Sequence, residues 1–166
     1  MQQLILSLVL LLFPLVLLAQ EETPIAPDSS GMFKKVEEMP RFPGCDSPEM
    51  AVAEKQSCAE RKMLEFIYRN VRYPELARQN GIEGVVVISF VVEPNGVLTN
   101  IQIARDIGGG CGEESKRVVE LMNTLPERWT PGKVGGEAVR VQFNLPVKFK
   151  LEGGGGKKKK GRKKKG

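Results

Sequence analysis

Apolar residues alternate most cleanly near the end of the chain. Val139, Val141, Phe143, Leu145, Val147 and Phe149 are separated by Arg140, Gln142, Asn144, Pro146 and Lys148. That period predicts a strand with one face on a core and the other in water. Pro146 cannot donate to a ladder, which places the strand at the edge of a sheet. Gly84 to Glu93 reads as a more deeply covered strand, because nearly every residue from Val85 to Val92 is β-branched or aromatic. Glu93-Pro94-Asn95-Gly96 supplies turn chemistry, and Val97 to Arg105 returns as a hairpin partner that buries Val97, Ile101 and Ile103.

Two segments carry the helical period instead. Ser57 and Glu60 have capping-box spacing, and Met63, Leu64, Ile67 and Val71 follow as a buried stripe up to the stop at Tyr73-Pro74. Pro74 opens a short turn that Gly81 closes. After the Gly108-Gly109-Gly110 loop, Glu113 and Glu114 suit a first helical turn, and Val118, Val119, Met122 and Leu125 form a stripe ended by Pro126. The order is helix, strand, strand, helix, strand. It predicts an α+β domain, a small three-stranded antiparallel sheet with two helices packed on one face.

The ends differ from this middle. Residues 1–20 hold an apolar run from Leu4 to Ala19, interrupted by Pro14, which reads as a signal peptide or a short membrane anchor. Residues 21–41, rich in Pro, Ser and acidic side chains, read as a flexible linker with a reach of about 70 Å at most. Residues 42–151 form the domain, and 152–166 a disordered Gly/Lys-rich tail. Its run from Lys157 to Lys165 holds eight of the 25 basic residues; the chain outside that run has 17 against 20 acidic ones, so the body is not basic. No nucleic-acid partner is expected for it. The tail suits either an anionic membrane surface or plain solvation.

The reactive side chains are few. The chain has no His, and its three Cys are Cys45, Cys58 and Cys111. No metal ligand set, cofactor loop or nucleophile–base pair can be assembled, so no enzyme, cofactor or metal is expected. An oxidising compartment allows one bridge among three pairings. Cys45–Cys58 is the most local, and would tie the approach segment to the first helix with a contribution of roughly 3 kcal/mol. Cys111, ahead of a helix, stands where a thiolate could be stabilised, yet it lacks a partner Cys or a base. Trp129 reads as a core aromatic.

Three groups of residues, taken together, resemble a known family. Tyr73-Pro74-Glu75-Leu76-Ala77, Ile82-Glu83-Gly84-Val85 and the hairpin Phe90 to Val97 come first. Trp129-Thr130-Pro131-Gly132-Lys133 and Val139 to Phe149 follow. In order and spacing they are similar to the TonB C-terminal domain over roughly residues 55–151, in a cysteine-containing variant where Phe42-Pro43-Gly44-Cys45 precedes the Cys58 helix. The resemblance implies a periplasmic module that binds extended segments of outer-membrane TonB-dependent transporters by strand addition, in energy-coupled transport. Inner-membrane motor proteins would be further partners. The matching partner-binding residues are Arg140, Val141, Gln142, Phe143 and Asn144, flanked by Tyr73 and Pro74, which also serve as a plain helix stop. The family's anchor His and long Pro-rich spacer have no counterpart in this sequence. The second reading is therefore a stand-alone exported interaction domain uncoupled from any motor.

Overall fold

The computed structural model describes residues 25–151. The N-terminal apolar segment and the basic tail lie outside these residues. The elements are α1 (Val52–Asn70), α2 (Glu75–Gln79), β1 (Gly84–Val92), β2 (Leu98–Arg105), α3 (Cys111–Leu121), β3 (Gly132–Val134), β4 (Glu137–Val139) and β5 (Val141–Phe149). A 3₁₀ turn, Met122–Thr124, extends α3. The architecture is α+β. The main sheet is antiparallel in the order β2-β1-β5, and β3 and β4 form a separate two-stranded ribbon.

The core lies between one sheet face and the helices. Val86, Ile88, Phe90 and Val92 of β1 and Leu145, Val147 and Phe149 of β5 pack with Ala59, Met63 and Ile67 of α1 and Val118 and Val119 of α3. An aromatic group closes one end of this core. Trp129, only 3% exposed, stands edge-on to Phe42, Phe90 and Phe143 at centroid distances of 5.6–5.7 Å.

Several expected details shift, each for a local reason. Helix α1 starts before Ser57, because the Glu54 carboxylate accepts the Ala51 N–H at 3.0 Å and does the first-turn work. The Ser57 hydroxyl donates to the Ala53 carbonyl within the helix. Leu64 falls one position off the buried stripe and is 44% exposed. In β2, Asn100 adopts φ 49° at an irregularity in the β1 pairing, so the buried position falls on Leu98 rather than Val97 while Ile101 and Ile103 still face inward. The Pro94–Gly96 turn uses positive φ at Gly96 alone, with the Gly96 N–H on the Glu93 carbonyl at 2.8 Å. Val139 leaves the last strand to pair with Gly132 in the ribbon.

The stretch read as a linker is the largest departure. From Phe33 onward it lies on the body. Phe33 bridges Val141, Glu38 bridges Lys133 and Arg41 bridges Thr130, while Val36 and Pro40 are buried. Its few apolar residues find cover only through this long-range pairing.

Candidate functional site

Strand β5 has β1 on one side, in register from Gly84–Phe149 to Val92–Val141. Within a strand, the N–H and C=O of one residue point to the same side, and successive residues alternate. Gln142 directs its N–H away from β1, to the Phe33 carbonyl at 2.9 Å, and Arg140 directs its C=O the same way. Asn144, Pro146 and Lys148 share that phase and form the outer edge. Pro146 sits where its missing N–H costs no ladder bond. Among the described residues, no backbone group pairs with the edge at Asn144, Pro146 or Lys148. Two outward N–H donors remain there, Asn144 and Lys148, four residues apart.

The five strand positions expected to bind a partner serve different purposes. The Val141 side chain is fully buried, and a Cβ at Gly132 would meet its methyl at 2.6 Å, so only glycine admits the ribbon there. Phe143 stacks on Phe90 at 5.4 Å. Gln142 donates its side-chain amide to the Ser89 hydroxyl at 2.9 Å. The Arg140 guanidinium is committed within the chain: Nε and Nη2 grip the Glu93 carboxylate at 2.9 and 3.1 Å, and Nη1 donates to the Ser30 carbonyl at 3.1 Å. That grip holds the Glu93 carboxyl below its usual range, with Thr99 as a further donor. Of the five, only Asn144 is exposed on an unpaired part of the edge.

Tyr73 and Pro74 are at the opposite end. The Tyr73 ring stands edge-on to Phe149 at 5.5 Å, and its hydroxyl donates to the Ile82 carbonyl. Pro74 caps α2 with φ −61°. Asn144 and Phe149 are five residues apart along β5, roughly 17 Å at strand rise. The structure therefore does not bring Tyr73-Pro74 together with Arg140–Asn144; one edge joins them end to end. At the Tyr73 end lies an open groove of about 340 Å³ lined by Tyr68, Val71, Tyr73, Lys148, Phe149 and Lys150. Lys148, Lys150 and the exposed Tyr68 were not singled out from the sequence. Tyr68 follows Leu64 by one helical turn, and that second apolar stripe on α1 was the available signal.

The cysteines fall into two kinds. Cys45 and Cys58 form a disulfide that ties the approach segment to α1. Cys111 is free and fully buried at the start of α3, where burial, reinforced by Asp106, pushes its thiol up rather than toward a thiolate. Among the described residues no three His, Cys, Asp or Glu side chains converge as a metal site would require, and no helix is long and apolar enough to cross a membrane.

Residues 69–151, half of the chain, match the family described as the Gram-negative bacterial TonB protein C-terminal. Protein TonB of Vibrio cholerae is 30% identical over 82 residues, which cover 49% of this chain and 32% of that protein. The chain thus spans about a third of the length of the curated relative it matches. Two solution structures of the Helicobacter pylori TonB C-terminal domain are also similar. One has 20% identity and a TM-score of 0.44 over 63% of this chain and 87% of that one. The other has 22% identity and a TM-score of 0.41 over 55% and 91%.

Proposed function

Because the chain belongs to the Gram-negative TonB C-terminal family, we propose that it is the capture module of a TonB-like energy transducer, which takes an extended segment of an outer-membrane transporter onto the outer edge of β5. The observation that carries this reading is the run from Asn144 to Lys148, where backbone groups face away from β1 and meet no partner among the described residues. An added strand would satisfy them, with main-chain hydrogen bonds supplying affinity and alternate side chains supplying selectivity. Because Pro146 has no N–H, the partner's carbonyls must reach two donors four residues apart, which favours one register over its neighbours. The groove beside Tyr73 and Lys148 is placed to take a side chain of the added strand where the edge ends.

In this role the protein works in the periplasm. The Cys45–Cys58 bond suits an oxidising compartment. Backbone pairing also suits force transfer, since several bonds share a pull along the strand. Coupling to inner-membrane motor proteins would run through residues preceding the domain.

The test is site-specific crosslinking in living cells. A photoreactive residue at Asn144 or Lys148 should form adducts with an outer-membrane transporter, while one at Gln102 on the far strand β2 should not. Equal yields from both edges, or no transporter adducts from β5, would refute the reading.

A further inference from the structure

We infer that the N-terminal strap, residues 28–41, acts as the chain's own strand on the capture edge, fixing where a foreign strand can begin and competing with one that reaches further. The consequence for partners rests on the strand-capture reading; the occupancy itself does not.

The strap is held at four places. Arg41 and Thr130 exchange backbone hydrogen bonds of 3.0 Å, and the Glu37 and Glu38 amides donate to the Lys133 carbonyl at 3.2 Å, with the Lys133 N–H returning to Glu38 at 2.9 Å. Phe33 then runs parallel to β5, donating to the Arg140 carbonyl at 2.8 Å and accepting the Gln142 N–H at 2.9 Å. Beyond it, Asp28 builds a tight turn. Its carboxylate accepts the Ser30 and Met32 amides, and its carbonyl accepts the Gly31 N–H. Arg140, braced by Glu93 of the hairpin turn, holds that turn by the Ser30 carbonyl. The strap departs from β5 at Lys34 and Lys35, which are exposed.

It thus covers two edge groups, the Arg140 C=O and the Gln142 N–H, and leaves the edge from the Gln142 C=O onward. A foreign strand starts its pairing there. To extend toward Arg140 it must lift Phe33, which is tethered in cis at an effective concentration that a free segment rarely matches. The strap therefore shortens the usable edge and biases its register.

Amide exchange followed by NMR on the full, oxidised chain tests the occupancy without any partner. Gln142 should exchange about tenfold more slowly than Asn144 and Lys148, the protection expected of one tethered hydrogen bond. Phe33→Pro, which deletes the donor to Arg140, should bring Gln142 to the Asn144 rate with Ile88 of β1 unchanged. Asp28→Ala, remote from the sheet, should shift Gln142 in the same direction by less. Gln142 exchanging as fast as Asn144 in the parent chain, or keeping its protection in Phe33→Pro, would overturn the inference. A photoreactive residue at Gln142 should crosslink within the chain in the parent and gain transporter adducts in Phe33→Pro. Equal transporter adducts in both would also overturn it. Absence of transporter adducts even from Asn144 would refute strand capture instead, and the exchange rates would still decide the strap.

Discussion

Proline at Asn144 isolates the hydrogen-bonding contribution of the edge from the stability of the sheet. The Asn144 N–H faces outward, so Asn144→Pro deletes a donor that β1 does not use, and Pro146 two residues on shows that this phase of the strand accepts the ring. A net hydrogen bond is worth about 1 kcal/mol, so affinity for a captured strand should fall about fivefold. Lys148→Pro removes the second donor, roughly 13 Å along the strand, far enough for the two effects to add. The double variant should bind about 25-fold more weakly, with the fold costing no more than about 1 kcal/mol. Leu145→Pro is the contrast: its N–H points to β1 opposite Ile88, and its side chain is buried. That change should cost 3 kcal/mol or more, by the usual penalty for proline inside a hydrogen-bonded element. The assay is an anisotropy titration with the transporter segment recovered by crosslinking, alongside thermal melts. Wild-type affinity in the folded double variant would refute the edge assignment, as would an Asn144→Pro protein that unfolds like Leu145→Pro.

Gly96→Ala should destabilise by roughly 2–5 kcal/mol in urea titrations, because φ is +77° and a Cβ would stand 2.2 Å from the Trp129 carbonyl oxygen. Cys58→Ser opens the Cys45 loop and should cost about 3 kcal/mol in the same measurement. Cys111, buried with its thiol pushed up, should resist iodoacetamide at neutral pH until the protein is unfolded, as intact-mass analysis will show. The Arg140 hydrogen bond, acting against some burial, holds the folded Glu93 carboxyl below the ordinary glutamate value of 4.5. Its stabilisation is therefore complete above pH 4.5 and lost as pH falls through the lowered value. The stability difference between parent and Glu93→Gln should be flat near neutrality and shrink below pH 4.5, read from unfolding midpoints.

The period of the side chains made the sheet, the core faces of both main helices and the edge position of β5 legible, since each depends on residues close in sequence. Pairing at long range was not. The β3–β4 ribbon contains Gly132 and Val139 but has no run long enough to show a period, and Val139 alternates with Val141 as if the strand were continuous. The Asn100 bulge moved the buried site by one residue, a shift that a strict two-residue period cannot register. Residues 33–41 resemble a linker in composition because their partners, Thr130, Lys133 and Val141, lie about a hundred positions away. For the site, Asn144 lies exposed on an unpaired part of the edge among the described residues, whereas Arg140 and Gln142, expected to face a partner, are engaged by the chain's own Ser30 and Phe33.

The Cys45–Cys58 bond has a mechanical consequence. A pull entering from the N-terminal side loads the Ser30–Arg140 contact first, then those of Phe33, Glu38 and Arg41, one after another, as in peeling tape. At Cys45 the peel meets a covalent rivet, and the load passes into the second turn of α1 at Cys58. Tension below that limit would bare the start of the β5 edge while leaving the body intact, so the grip on a captured strand could lengthen as the line is drawn tight.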